Sequence, residues 1–119
     1  MVRRVGMMVV LAAALLAGCA GSVMNDARTQ SPDKVLTSDK PEKDVARCVQ
    51  FAWQDEAVFG VDAAAYLEPR ESGGTTVYTR SAESFVDVIT EASGTTLNYY
   101  AQKSDFVAMR RMAAMATCL

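Results

Sequence analysis

The chain has 119 residues, half of them hydrophobic, and its 12 basic and 14 acidic residues give a formal net charge of −2. This length allows one small domain, and the mild acidity argues against nucleic acid as a direct electrostatic partner. The sequence contains no histidine and three cysteines, which excludes Ser-His-Asp and Cys-His catalysis and leaves too few ligands for a zinc site. We therefore expect a non-enzymatic protein without a cofactor.

The first residues of the chain predict export. Arg3 and Arg4 precede an uncharged apolar run, VGMMVVLAAALLA, at residues 5–17, and a positive start followed by a short apolar core is typical of a signal peptide. The run is too short to span a bilayer, which takes about 20 residues. We interpret residues 1–18 as a signal peptide that is removed from the mature protein.

The tetrapeptide Leu16-Ala17-Gly18-Cys19, at the end of this segment, resembles the lipobox of bacterial membrane lipoproteins. The resemblance implies that the sulfur of Cys19 carries a diacylglycerol and that its new amine carries a fatty acid such as palmitate. Two or more acyl chains give stable anchoring. In the lipoprotein family, the absence of Asp after the cysteine, where this chain has Ala20, implies the outer membrane of a Gram-negative cell. The alternative is an ordinary cleaved signal, with Cys19 left as a thiol or a disulfide partner.

Cleavage before Cys19 would leave 101 residues with a net charge of −4, because Arg3 and Arg4 are lost. Residues 19–37 are polar and rich in turn-forming residues, and we expect a lipidated cysteine followed by a flexible tether. Residues 35–37 could form a short edge strand at the end of this tether. We expect residues 38–119 to form a small α+β domain on the periplasmic face of the membrane.

Two helices are predicted, one near each end of this domain. In the first, Asp39 and Glu42 have the spacing of a capping box, and apolar residues then recur at helical spacing: Val45, Cys48, Val49, Ala52 and Trp53. The second helix is predicted to start at Ser104, with Ala108, Met112 and Met115 on one face. Arg110 and Arg111 on this helix could meet an anionic ligand or partner. We expect them instead to lie on its solvated flank, because pairs of surface charges are common.

The middle of the domain predicts four short strands, because β-branched and aromatic residues are separated by the turn sequences ESGG and EASG. The predicted strands cover residues 63–70, 75–80, 85–90 and 96–101. Residues 82–92 also satisfy helical spacing. We interpret them as a strand because Val86 and Val88 alternate and a hairpin partner follows.

The predicted order is therefore α-β-β-β-β-α, with both helices on one face of a four-stranded antiparallel sheet. Cys48 and Cys118 form an even pair in an oxidising compartment, which predicts a disulfide between the first and the last helix. A domain of this size commonly needs such a covalent link for stability.

The sheet face away from the helices is the candidate contact surface. Thr76, Tyr78, Asn98 and Tyr100 lie on predicted strands and would form an aromatic binding surface for an envelope protein. The alternative interpretation is that tyrosine simply suits half-buried strands.

We expect the protein to act as a non-enzymatic binding or accessory module of the cell envelope, attached to the membrane by its lipid. The rival hypothesis is a periplasmic inhibitor of a lysozyme-like or other envelope enzyme, in which the hairpin loop at residues 91–95 enters an active site. Ala92-Ser93-Gly94, followed by Tyr99, is similar to the S-G-x-x-Y loop of periplasmic lysozyme-inhibitor lipoproteins. The spacing here is longer and those proteins are all-β barrels, so no residue role is carried over.

Overall fold

A computed structural model describes residues 20–119, so the predicted signal peptide and the lipobox cysteine Cys19 lie outside the described residues. The chain divides into two units, Met1–Ser31 and Pro32–Leu119. The described part of the first unit contains a helix at residues 20–28, where the sequence predicts an irregular tether. In the described part of the chain, no helix is both long and apolar enough to cross a membrane.

The second unit is α+β, as predicted, and is built on a single antiparallel sheet. It has five strands and two α-helices: β1 (Lys34–Ser38), α1 (Glu42–Asp55), β2 (Ala65–Pro69), β3 (Thr75–Thr79), β4 (Ser84–Glu91), β5 (Gly94–Ala101) and α2 (Phe106–Ala116). The strands lie in the order β1-β5-β4-β3-β2. Residues 84–91 form β4, which pairs with β5 from Ser84 opposite Ala101 to Glu91 opposite Gly94. This pairing confirms the strand interpretation of residues 82–92.

The strand β1 corrects the predicted four-stranded sheet to five strands. It pairs with β5 from Lys34 opposite Tyr99 to Ser38 opposite Thr95, which confirms the edge strand expected at residues 35–37. Asp33 extends the pairing, because its backbone N–H donates to the carbonyl of Tyr99 at 2.8 Å and its carboxylate accepts from the N–H of Ala101 at 2.7 Å. The compact unit therefore begins before the predicted boundary at residue 38.

The apolar stripe predicted for the first helix is confirmed, since Val45, Val49 and Trp53 are buried in the core. The predicted capping box is wrong: α1 follows Pro41 without a side-chain cap. The carboxylate of Glu42 instead accepts from the backbone N–H of Thr90 at 3.2 Å and from its hydroxyl at 3.3 Å. Glu42 thus links the first turn of α1 to β4. Its carboxylate satisfies the backbone N–H and the hydroxyl of Thr90, which a cap on its own helix would leave without this acceptor.

The disulfide between Cys48 and Cys118 is confirmed, with the two Cα atoms 5.7 Å apart and 70 residues apart in sequence. Cys118 is fully buried in the core formed between the helices and the sheet. In the chain-entropy model, closing a loop of this length stabilises the folded state by about 4 kcal/mol. The bridge therefore supplies a substantial share of the stability of a domain this small.

The last helix differs from the prediction at its start and on its polar flank. Its cap is Asp105 rather than Ser104, because the Asp105 carboxylate accepts from the N–H of Ala108 at 2.9 Å. Arg111, expected in solvent, is only 2 % exposed. Arg110 is partly buried and forms a two-bond ion pair with Glu56, at 2.8 and 3.1 Å. Tertiary contacts thus decide the environment of both arginines.

Candidate functional site

Strand alternation gives the sheet two chemically different faces. The side chains toward the helices belong to the core and include Val77, Val86, Val88, Leu97 and Tyr99. The second face carries the intervening residues of the same strands: Thr76, Tyr78, Phe85, Asp87, Asn98 and Tyr100. All four residues predicted as a contact surface, Thr76, Tyr78, Asn98 and Tyr100, therefore lie on this second face.

The register aligns an aromatic row across four strands of the second face. Tyr66 on β2 lies opposite Tyr78 on β3, which lies opposite Phe85 on β4, which lies opposite Tyr100 on β5. The rings of Phe85 and Tyr100 stack at 4.6 Å with an interplanar angle of 10°. The rings of Tyr66 and Tyr78 lie 5.2 Å apart at 35°. Such pairs contribute beyond their buried area, so the row forms one continuous aromatic feature.

Accessibility along this row falls from β2 toward β5. Tyr66 is 44 % exposed and Tyr78 is half-buried, whereas Phe85 and Tyr100 are 1 % and 8 % exposed. Thr76 is likewise buried and Asn98 is half-buried. Of the four predicted residues, solvent therefore reaches Tyr78 and Asn98. The accessible part of the aromatic row is its Tyr66–Tyr78 end, on the edge strand β2 and its neighbour β3, and the prediction did not include Tyr66.

A buried carboxylate lies on the second face beside the aromatic row, in the neighbouring row of residues formed by Thr76, Asp87 and Asn98. Asp87 is 2 % exposed, accepts a hydrogen bond from the hydroxyl of Thr76 at 2.8 Å and faces the guanidinium of Arg70 at 3.6 Å. Asn98 lies opposite Asp87 in the register. A charge at this depth is tolerated only with partners of this kind. Sequence reasoning missed Asp87 and Phe85, although their alternation with Val86 already places them on the second face.

The accessible part of this face presents tyrosine rings and their hydroxyl groups. Burial, with the nearby charge of Glu68 adding to it, raises the pKa of Tyr78 above its ordinary value of 10.0, so its hydroxyl stays neutral and able to donate at physiological pH. Among residues 20–119 no group of three or more Asp, Glu, Cys or His side chains is placed to hold a metal ion. The second face therefore offers aromatic surface and neutral hydroxyls.

The hairpin loop that the rival hypothesis places in an active site is short. Glu91 pairs with Gly94, so the turn itself consists of Ala92 and Ser93. Thr95 is buried and its hydroxyl donates to the carbonyl of Lys40 at 2.7 Å. A Cβ on Gly94 would lie 2.8 Å from the carbonyl oxygen of Ser38, which explains glycine at this position. Within 91–95, the exposed side chains are confined to residues 91–93.

Comparison with known proteins gives no relative from which a role could be transferred. No protein family model matches the chain. Neither a curated protein nor a solved structure matches it. A functional assignment therefore depends on the residues themselves.

Proposed function

We propose that this protein is a lipid-anchored lipoprotein of the Gram-negative cell envelope and that its periplasmic domain acts by binding an envelope protein, without catalysis. The observation that carries the proposal is the distribution of its three cysteines. Cys48 and Cys118 pair with each other, and the remaining cysteine is Cys19 of the lipobox. A structural disulfide suits an oxidising compartment such as the periplasm, where a lipoprotein domain would fold.

The Tyr66–Tyr78 end of the aromatic row is the contact surface that we propose. Tyrosine presents an apolar ring together with a polar hydroxyl, and it is enriched in protein interfaces. Tyr66 is on β2, which among the described residues 20–119 pairs only with β3, so one edge of its backbone has no neighbouring strand within that range. A protein partner can therefore contact the rings and the strand edge together. The location is the outer membrane, with the domain on its periplasmic side.

The lipid anchor is tested on the full chain expressed in a Gram-negative host. We expect mass spectrometry of the mature protein to find Cys19 at the amino terminus with a diacylglycerol and a fatty acid attached. Cys19→Ala should remain unlipidated, whereas a Cys48→Ser/Cys118→Ser variant should still be lipidated, which is the matched control for loss of cysteine. An intact Met1, or an unmodified Cys19 in the mature chain, would overturn the proposal.

The binding role is tested by crosslinking in cells. A photoreactive residue at position 66 should capture a defined envelope protein, and the same residue at Lys43, which is exposed on α1 away from the second face, should not. Equal capture from both positions would contradict the proposed surface. Inhibition of a lysozyme-like enzyme by the purified protein, lost on mutation of Ala92 and Ser93 but not of Tyr66, would favour the inhibitor hypothesis instead.

A further inference from the structure

The solvent-exposed side of α2 is largely apolar. Phe106, Met109, Ala113 and Ala116 recur at helical spacing on one side of the helix, and all four are exposed. Phe106 is 66 % exposed and Met109 is 63 % exposed. The other side of α2 packs into the core through Met115. A surface helix normally carries polar residues opposite the stripe that it buries, so α2 is unusual in presenting apolar side chains on both sides.

Phe59 adjoins this exposed side of α2. It ends the 3₁₀ turn that follows α1, its ring is 61 % exposed, and the guanidinium of Arg110 lies 4.0 Å from the ring centre. Arg110 is one helical turn from Phe106, and its charge is balanced by the two-bond ion pair with Glu56. Phe59, Phe106 and Met109 therefore form an apolar patch around an arginine that is already paired. Exposed patches of this kind mark contact sites for membranes or proteins.

The apolar patch lies beside the point where the chain enters the compact unit. Asp33, the residue before β1, lines a groove of about 410 Å³ together with Met109 and with Ala101 at the end of β5. The carboxylate of Asp33 accepts from the backbone N–H of Ala101 at 2.7 Å, which fixes the start of β1 at this end of the sheet. Residues 102–105 then connect β5 to Phe106. The entry point and the apolar patch are therefore at the same end of the compact unit.

A lipid anchor at Cys19 would bring this end close to a bilayer. Residues 20–31 separate Cys19 from the compact unit, and residues 20–28 are helical. At about 1.5 Å per helical residue and about 3.6 Å per extended residue, this segment reaches at most about 30 Å. Within that distance the effective concentration of the bilayer surface is high, so a patch that binds weakly on its own can still bind.

We propose that the apolar patch binds the bilayer surface, with Phe59, Phe106 and Met109 inserted shallowly between the headgroups and the acyl chains. The inference rests on the proposed lipid anchor and adds the orientation of the anchored domain. Apolar side chains on one side of an interfacial helix are buried to this depth, and the strength of binding increases with the apolar area buried. The second face of the sheet, on the side opposite the helices, would then point away from the bilayer and stay open to a protein partner.

Fluorescence of an introduced indole tests this orientation. The lipidated full chain with Phe106→Trp is reconstituted in phosphatidylcholine vesicles whose acyl chains are brominated near the glycerol. We expect bromine to quench the introduced indole by about twofold or more relative to unbrominated vesicles, because the patch inserts to that depth. Tyr66→Trp, which replaces an exposed aromatic residue on the second face, is the matched control and should be quenched little. The signal of the buried Trp53 is measured in the wild-type chain and subtracted.

Further substitutions test which residues form the membrane contact. In the Phe106→Trp chain, Phe59→Ser and Met109→Ser together should reduce the quenching by about half or more, because they remove the remaining apolar area of the patch. Tyr66→Ser and Leu67→Ser together, at two exposed positions of β2, should leave the quenching unchanged. Quenching should also be equal at about 0.1 M and about 1 M sodium chloride, because salt screens charge contacts but not apolar burial.

Three results would overturn the inference. They are equal quenching of the Phe106→Trp and Tyr66→Trp chains, loss of quenching at high salt, and photocrosslinking between two copies of the chain through position 106. The last result would assign the patch to a second copy.

Mass spectrometry of the same sample determines whether Cys19 is lipidated, which separates this inference from the proposed function. A lipidated chain in which the indole of Phe106→Trp is not quenched would contradict the membrane contact alone. A mature chain without lipid on Cys19 would contradict the proposed anchor, and the inference would fail with it.

Discussion

The two faces of the sheet are built from the same strands but by different chemistry. The helix-covered face is largely aliphatic, and its one tyrosine, Tyr99, has its hydroxyl hydrogen-bonded to Ser84 and to the carbonyl of Ala108. The second face carries aromatic rings and the buried carboxylate of Asp87. Aliphatic packing and a disulfide stabilise the first face, whereas paired polar groups and rings give the second a specific shape. The first face therefore maintains the fold, and the second is the face on which we propose that a partner binds.

The largest expected effect is on the helix-covered face. Trp53→Ala should lower the free energy of unfolding by about 3–5 kcal/mol, because Trp53 is 1 % exposed and also donates to the carbonyl of Arg111. Urea denaturation measures the change. Tyr66→Ala on the second face should cost about 1 kcal/mol or less, since that ring is 44 % exposed. Equal losses of unfolding free energy for the two variants would contradict the difference between the faces.

The disulfide provides the next test. The double variant Cys48→Ser/Cys118→Ser should lose about 4 kcal/mol of unfolding free energy. Reductant should lower the stability of the wild-type chain toward that of the variant, and it should leave the variant unchanged. A wild-type chain whose stability does not respond to reductant under denaturing conditions would contradict the role assigned to the bridge.

On the second face, Asp87 tests whether polar pairing is structurally important. Asp87→Asn should destabilise the fold by about 1–3 kcal/mol, because it weakens hydrogen bonds of a buried charged group. The Thr76→Val change should be non-additive with it, with a coupling of at least about 0.5 kcal/mol, since the Thr76 hydroxyl donates to Asp87 at 2.8 Å. Strict additivity in a double-mutant cycle would show that this contact does not contribute.

The smallest effects concern alkaline pH. Burial raises the pKa of Tyr99 on one face, and burial together with the charge of Glu68 raises the pKa of Tyr78 on the other. A raised pKa in the folded state gives stability that is present below the ordinary value of 10.0 and is lost as the pH rises through the folded value. Both tyrosines should therefore make the fold less stable in alkali.

The Glu68→Gln variant distinguishes the two tyrosines. It should move the titration midpoint of Tyr78 part of the way down toward 10.0 and leave that of Tyr99 unchanged, because Glu68 acts on Tyr78 and burial remains the larger cause. NMR titration of the tyrosine ring carbons measures both midpoints. Equal movement of both would mean that the substitution acts through the fold rather than through local charge.

Sequence pattern predicted the elements that have a clear period. The stripe from Val45 to Trp53 follows the 3.6-residue repeat of a helix, and the alternation of Val86 and Val88 identified β4 correctly. The pairing of Cys48 with Cys118 followed from counting the cysteines. The faces of the four predicted strands could be predicted in the same way, since period-two alternation places Tyr78, Asn98 and Tyr100 on one face.

The tertiary environment of individual side chains could not be predicted from the sequence in this way. The carboxylate of Glu42 could have capped its own helix, but the distant backbone of Thr90 binds it instead. Residue type predicted a solvated Arg111, whereas the packing of α2 buries its side chain next to Glu83. The burial of Arg111 depends on Glu83, which is 28 residues away in sequence, so the local pattern of α2 could not have indicated it.

The edge strand β1 has a mechanical consequence if the chain is tethered to a membrane. Tension on Cys19 would enter the sheet at the start of β1, where the pairs with β5 run from Lys34 to Ser38. The two hydrogen bonds of Asp33 come first along that path and would bear the load before any strand pair. If β1 were pulled away, the four remaining strands and both helices would still be joined by the covalent bridge. Under force, the molecule would thus lose the β1–β5 pairing first, while the core between the helices and the other four strands stayed folded.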